Sequence, residues 1–317
     1  MSPTVTVIVM TYNQKQYIRQ AIDSILRQKT TFDFNIFVHD DCSDDGTQEI
    51  LQEYRDRYPK KIYVYHQEKR RFLDDGFNMM IFNYVVPKIH SNYVAYCDGD
   101  DYWCDDNKLQ KQYDFLQQNP DYSMCFHSAY QLKNNHDMSS KWFILNDGDY
   151  EMKDFVNDKP GIKVATSSIF LRTDAFRDFS NWRKSYPVED VPMYMTAALH
   201  GKIRCLSDIM CVYRQFAIGS WTSQNKNSNE RKIQHLAQLI NATNLFNEET
   251  NFSYQTLVDS QIKSCEFRIG LIKRDFKTIF NRKYRTIYKQ LPFKERISLK
   301  LQYRLPHLYN LFHKKEK

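Results

Sequence analysis

No run of about 18 consecutive apolar residues occurs in this 317-residue chain, so no segment is expected to cross a bilayer as a helix. The sequence lacks a basic region followed by an apolar stretch at its start. Met1-Ser2-Pro3-Thr4 runs straight into a strand pattern, so a secretory signal is not expected. Seven cysteines stand at 42, 97, 104, 125, 205, 211 and 265, an odd number with no CxxC spacing. That scatter argues against a disulfide framework or a zinc site and fits a reducing compartment, so a cytoplasmic location is expected. No GxGxxG follows the first strand pattern and no GxxxxGK[ST] is present, which removes support for a dinucleotide fold or a P-loop. Internal repeats and low-complexity tracts are also absent.

What is present is a globular composition, 42% hydrophobic and 26% charged, at a length that suits one large α/β domain or a core with an appendage. Aromatic residues reach 15%, enough for stacking surfaces against bases or sugars as well as for core packing. Charge is unevenly placed. Residues 261–317 hold 16 Lys and Arg against 4 Asp and Glu, a balance of +12, which leaves −5 for the first 260 residues of a chain totalling +7.

Val5 to Met10 is a continuous, β-branched apolar run, which predicts a strand buried on both faces. Ile18, Ala21, Ile22, Ile25 and Leu26 recur at helical spacing. Further strands are predicted at 34–38, 61–66 and 93–97, with helices after the second and over 75–90. This alternation predicts βαβ units and a parallel sheet. Beyond residue 120 the pattern loosens: a strand is expected within 164–171, a helix over 190–200, one or two strands within 203–213, and helices from 229 onward.

In parallel sheets ligands bind beyond the carboxyl ends of the strands. Three of the four expected strand ends carry polar residues: Thr11-Tyr12-Asn13, Asp40-Asp41, and Asp98-Gly99-Asp100-Asp101. Carboxylates crowded on one turn repel one another unless a cation sits among them, and oxygen ligands without His or Cys suit Mg²⁺ or Mn²⁺. A solvated acidic turn or a helix cap would use the same residues. A carboxylate at Asp40 or Asp41 can accept a hydrogen bond from a base N–H, and Thr11 could meet the base or ribose.

These segments together, Val5 to Asn13 with Tyr17, DDCSDDGT at 40–47, and YCDGDDYW at 96–103 with Lys108-Leu109, resemble family 2 glycosyltransferases of the GT-A fold. The match is close over residues 4–120 and loose over 120–222, and it is similar in particular to bacterial enzymes that build surface polysaccharides such as capsule or lipopolysaccharide. The resemblance implies an α/β, Rossmann-like, mostly parallel sheet flanked by helices. It divides the chain into a transferase domain over 1–225, with 1–120 holding the nucleotide sugar and 121–225 facing the acceptor, and a basic helical C-terminal extension over 226–317. It implies inverting transfer of a sugar from a nucleoside diphosphate sugar, a UDP-sugar favoured, to a hydroxyl of a glycan or lipid-linked saccharide, with Mn²⁺ or Mg²⁺.

Carried over by position, Asp41 would bind the base, with Thr11, Tyr12 and Asn13 beside it. Asp98 or Asp100 would touch the ribose, and Asp100 or Asp101 would hold the metal; the doubled acid leaves the ligand open. Arg70 and Arg71 would meet the diphosphate, Trp103 would cover the sugar or acceptor, and Trp221 would belong to a loop near the diphosphate. Glu189-Asp190 matches the acid pair that opens a helix in the family, with Asp190 as the base that deprotonates the acceptor; compensation of the helix dipole is the simpler role for such a pair. Cys42 departs from the family, which has glycine there, and that puts the local turn geometry in doubt. His127 is expected in the interior.

Two other classes compete. A metal-dependent nucleotidyltransferase would carry a Gly-rich, basic loop after the first strand, where this chain has TYNQKQY. A non-catalytic nucleotide-sugar-binding assembly protein would be expected to have lost some of these acids. The basic C-terminus, LKLQYRLPHLYNLFHKKEK from Leu299, suits either contact with an anionic membrane at the cytoplasmic face or packing on the body; no nucleic-acid motif accompanies it.

Overall fold

The computed structural model describes residues 3–71, 77–133, 137–142, 145–156, 162–188, 190–215, 217, 228–305 and 307, with the backbone alone described at 77–78, 133 and 137–142. Glu189 and Trp221 lie outside the described residues, as does most of the stretch after Leu305. The chain forms two compact units, the first reaching Ser228 and the second beginning at Asn229.

The first unit is α/β, as expected, built on a ten-stranded mixed sheet. Strands β1 (Val5–Thr11), β2 (Phe34–Asp40), β3 (Ile62–His66) and β4 (Tyr93–Tyr96) are parallel and lie in the order β3-β2-β1-β4. Every residue of β1 is buried, because it pairs on both sides and both sheet faces are covered. Helix α1 (Ile18–Leu26) lays Ile18, Ala21, Ile22 and Ile25 into this core, and α2 (Thr47–Arg57) adds Ile50, Leu51 and Tyr54.

Beyond β4 the sheet changes character. After β5 (Tyr102–Trp103) and helix α3 (Lys108–Gln118) come β6 (Tyr122–Lys133), β7 (Asp137–Trp142), β8 (Gly148–Tyr150) and β9 (Phe170–Arg172). Strand β9 pairs antiparallel with both β4 and β6. The strand expected within 164–171 is therefore shorter, and a 3-10 turn at Thr166–Ser168 takes the rest. Helix α4 (Asp190–His200) starts with its proline in the first turn, where the missing N–H costs nothing. The 203–213 region is one long strand, β10 (Lys202–Gln215), parallel to β6 and antiparallel to β5 and β8, with its register shifted on either side of Ile209. Residues 77–88, expected to be one helix, are a short α turn followed by a π turn and a 3-10 turn that ends around Pro87.

The second unit is helical. Helices α5 (Asn229–Glu249) and α6 (Gln255–Lys273) form a hairpin tied by Thr243 to Gln261 at 3.0 Å and Asn247 to Gln255 at 2.8 Å. Arg274, at φ 53, ends α6 in the left-handed region. Helix α7 (Arg285–Gln290) and α8 (Phe293–Arg304) are separated at Pro292, which cannot continue a helix. Leu299 of α8 packs with Phe267, Ile279 and Tyr284 in a small core of this unit. No described helix is long and apolar enough to cross a membrane.

Candidate active site

The carboxyl ends of β1, β2 and β4 share one edge of the sheet. Thr11 pairs with Asp40 in register, the Asp41 N–H donates to the Thr11 carbonyl at 3.0 Å, and the Gly99 N–H donates to the Met10 carbonyl at 2.9 Å. Gly99 is required by this closeness. A Cβ there would stand 2.9 Å from Thr11 Oγ1 and nearer still to Gln14 Oε1.

The segment after β1 is stitched to the turn after β2. Backbone N–H groups of Asn13, Gln14 and Lys15 donate to Ser43 Oγ, Thr47 Oγ1 and Asp45 Oδ2 at 2.9, 3.0 and 3.0 Å. The Asn13 amide closes the pair by donating to Asp44 Oδ1 and accepting from the Asp44 N–H. Asn13 thus joins two loops and takes φ 52 to do so. Cys42 has φ 66, in the left-handed region that favours glycine and that a residue with a side chain tolerates less well. Asp40 is fully buried; although burial pushes its carboxyl up, hydrogen bonds from His66, Ser43 and Gln48 outweigh that and hold it below the ordinary range. It anchors the turn.

Asp41 forms the neighbouring corner. Its Oδ1 accepts the Arg71 N–H at 2.7 Å, and its Oδ2 stands 4.0 Å from Arg70 Nε. The Arg70 guanidinium lies 4.0 Å from the Tyr12 ring centroid. Tyr12, Asp41, Arg70 and Arg71 are thereby brought together, with Thr11 bonded to Asp41 through its carbonyl.

The acidic turn divides into two kinds of carboxylate. Asp98 and Asp100 are partly exposed. Burial, then Asp100, then Asp190 raise Asp98 to about 8, against a hydrogen bond from Thr166. Burial raises Asp100 to about 6, against its own backbone, Arg214 and Gln14. Asp101 is buried: its Oδ2 accepts the Ser167 hydroxyl at 2.7 Å and its Oδ1 the Arg214 N–H at 2.9 Å. Ser167 Oγ also accepts the Asp98 N–H at 3.3 Å. Asp101 therefore fastens the turn to the 3-10 segment and to β10.

Asp190 opens α4, where its Oδ1 accepts the Val191 N–H at 3.0 Å, and burial raises its carboxyl. It lies near enough to Asp98 and Tyr194 to raise both. Trp103, expected against the sugar or acceptor, is a core residue instead. It is 1% exposed, its indole N–H donates to the Ser167 carbonyl at 2.9 Å, and the Lys108 ammonium sits 4.1 Å from the ring centroid. A side chain enclosed in this way has no free face to offer. His127 is interior, bonded to the Ser128 carbonyl at 2.8 Å.

Three further residues belong to the site. Gln14 hydrogen-bonds Thr11 and Asp100. Ser167 joins Asp98 to Asp101. Arg214 donates its guanidinium to the Asp100 carbonyl and to Gln20, and lies over the rings of Tyr17 and Tyr102. Gln14 sits within the TYNQKQY segment, next to residues singled out from the sequence. Ser167 and Arg214 carry no sequence signal, because tertiary folding alone brings β10 and the 3-10 turn to the acidic turn. Among the described residues, no three His, Cys, Asp or Glu side chains converge closely enough to enclose a metal ion by themselves.

The profile described as Glycosyl transferase family 2 matches residues 6–179. An uncharacterised protein of Mycobacterium tuberculosis is 27% identical over 227 residues, 69% of this chain and 60% of that protein, so the chain spans about 60% of the length of such relatives. Bacillus subtilis TuaG, named as a teichuronic acid biosynthesis glycosyltransferase, is 34% identical over 114 residues, 36% of this chain and 42% of its own. The fold is similar to S. aureus TarS in complex with UDP-GlcNAc, at TM-score 0.58 and 18% identity over 96% of this chain and 92% of that one. It is also similar to the mannosyltransferase PcManGT of Pyrobaculum calidifontis in complex with GDP-Man and Mn²⁺, at TM-score 0.55 and 13% identity over 98% and 83%.

Proposed function

This chain belongs to glycosyl transferase family 2, and on that premise we propose that it transfers a sugar from a nucleoside diphosphate donor, a UDP-sugar favoured, to a hydroxyl of a saccharide or lipid-linked saccharide, with inversion, in surface polysaccharide synthesis. The observation that carries the reading is the gathering of Asp98, Asp100 and Asp190, three carboxylates from two distant segments within one electrostatic neighbourhood, on the sheet edge that also bears Asp41.

Asp41 accepts the base N–H, with Thr11 alongside and the Tyr12–Arg70 pair as a wall. Arg70 and Arg71 add positive charge on the donor's side. Asp98 and Asp100 are the carboxylates for ribose and a divalent ion, since both are partly exposed whereas Asp101 is 1% exposed and faces Ser167 and Arg214. The donor set fits Mg²⁺ or Mn²⁺: hard ions of this kind are commonly held by one or two carboxylates, with substrate phosphates and water completing the shell, so no three-residue cage is needed. When bound, the ion would stabilise the charge that develops on the departing diphosphate. PcManGT, in which Mn²⁺ accompanies GDP-Man, supports this use.

Asp190 is the base. The acceptor hydroxyl gives its proton to the Asp190 carboxylate as its oxygen bonds to the anomeric carbon, and the bond from that carbon to the diphosphate oxygen breaks on the opposite face. Burial raises Asp190 and so strengthens it as a base. Glu189, its neighbour in sequence, is assigned with it on family position alone.

The nucleotidyltransferase reading fares worse. A triphosphate loop needs free backbone N–H groups after β1, and those of Asn13, Gln14 and Lys15 are taken by Ser43, Thr47 and Asp45. Titration with UDP in the presence and absence of Mn²⁺, paired with a donor-hydrolysis screen over nucleotide sugars, tests the proposal. Metal-dependent nucleoside diphosphate binding with turnover of one sugar is expected; no binding of UDP, GDP or dTDP with metal would overturn it.

A further inference from the structure

The second unit contains an open cavity of about 430 Å³ between the 279–282 segment, α7 and α8. Arg282, Arg285, Lys289, Arg296 and Lys300 line it, together with Ile279, Phe280, Asn281 and Tyr288, and no acidic residue does. None of the five cations forms an ion pair among the described residues, whereas nearby Lys283 is neutralised by Glu266 at 2.6 Å. The cavity is held in shape from below. Ile279 is buried in the small core, Phe280 and Tyr288 pack edge to face at 5.5 Å, and the Tyr288 hydroxyl donates to the Arg296 carbonyl at 3.1 Å. Five cations kept close with no ion-pair partner among the described residues cost self-repulsion, which an anion in the cavity would relieve.

A second feature adjoins the first. On α8, Phe293, Ile297 and Leu301 are 69%, 41% and 43% exposed, and Leu305 just beyond is 47% exposed. At about 100° per residue, Phe293, Ile297 and Leu301 fall within roughly 80° of arc, on the side of the helix away from the buried Leu299. Arg296 and Lys300 follow Phe293 and Ile297 by three positions, so the apolar stripe runs along the rim of the cationic cavity. The Arg296 guanidinium lies 5.8 Å from the Phe293 ring centroid, which joins the two directly. Lys294 and Arg304 flank the stripe.

We propose that this face of the second unit docks on an anionic lipid surface, the cavity taking a headgroup phosphate while Phe293, Ile297, Leu301 and Leu305 enter the interface. A soluble phosphate would account for the cations and leave the exposed stripe without purpose; an apolar protein partner would account for the stripe and leave five unneutralised cations. A lipid surface satisfies both, since amphipathic helices with basic flanks lie in the headgroup boundary in this way. The inference uses no residue of the transferase site.

The test is co-sedimentation of the full chain with vesicles of phosphatidylglycerol and phosphatidylcholine, and with vesicles of phosphatidylcholine alone, at low and high salt. Binding to the anionic vesicles only, weakened by salt, is expected. Arg285→Glu with Lys289→Glu, both at exposed positions, is expected to lower the partition coefficient by at least about 25-fold, at about fivefold per cation. Ile297→Ser with Leu301→Ser is expected to lower it at least about tenfold while pyrophosphate binding in solution stays unchanged. Should the charge pair perturb folding by circular dichroism, Arg282→Ala with Lys289→Ala reads the same effect. Equal binding to neutral vesicles, indifference to the charge pair, or vesicle binding that ignores the stripe would each overturn the proposal. So would a charge- and stripe-dependent dimer in place of vesicle binding. UDP titration of the same variants separates this outcome from failure of the transferase reading.

Discussion

Asp98 and Asp190, far apart in the chain, stand within electrostatic reach of each other: burial, Asp100 and Asp190 together raise the Asp98 carboxyl to about 8. One comes from the turn after β4 and the other from the first position of α4. The turn proposed to hold the donor and the residue proposed as the base thus share one electrostatic neighbourhood.

Asp190→Asn is expected to keep nucleotide binding and to lose transfer by about 100- to 10,000-fold, the range for removal of a general base. The variant preserves size and can still accept the Val191 N–H through its amide oxygen. Calorimetry with UDP and a transfer assay read the two effects separately. Transfer at the unmutated rate would move the base elsewhere.

Asp100→Ala and Asp101→Ala should fail differently. Asp100→Ala is expected to weaken metal-dependent UDP binding with little change in melting temperature. Asp101→Ala strips the acceptor from the buried Ser167 hydroxyl and the Arg214 N–H, at a cost of about 1–3 kcal/mol for each group left unsatisfied. A clear loss of thermal stability is therefore expected. A stable Asp101 variant that lacks only its metal response would return the ligand role to Asp101.

Gly99→Ala is expected to destabilise by about 1–3 kcal/mol, the usual cost of overpacking, and to impair donor binding. The added methyl would press on Thr11, whose Cβ would stand 3.0 Å away at the end of β1, and would push the Gln14 amide aside. Thermal unfolding and UDP titration measure both, and a variant as stable as the parent would show that the turn can move away from β1.

Between pH 6.5 and 8 the metal-free protein should lose stability as pH rises. Asp98 and Asp101 have folded pKa values raised above the ordinary 3.8, Asp98 to about 8, so the folded state binds protons that the unfolded state has released. Below about 6.5 the trend is opposed, because His39, lowered to about 4, and His127, also lowered, stay neutral in the fold and become charged on unfolding. Above about 8, Lys108, lowered to that value by burial, opposes it again. Melting temperatures across this window with and without Mn²⁺ check the point. The ion is expected to stabilise more at pH 8 than at pH 6.5, and a flat metal response would separate the ion from these carboxylates.

The sequence by itself determined the first four strands, the α1 and α4 helices and the three polar strand ends, because burial on both faces and helical periodicity are local properties that survive without knowledge of neighbours. It also singled out Asp41, Asp98, Asp100, Asp101 and Asp190 as candidates for the site. Tertiary structure decided how those residues differ. Trp103 and Asp101 look like their neighbours in the chain; Ser167 and Arg214, delivered by a 3-10 turn and a distant strand, take up the indole N–H and the two carboxylate oxygens and turn both residues inward. The tail divided in the same way. Its charge was legible from composition, but which cations stand together without an acid, and which apolar residues of α8 remain outside the core, depends on how α7 and α8 fold back on α6. Spacing along the chain fixes what an element is; the desolvation and pairing that set a side chain's role come from segments that spacing does not reach.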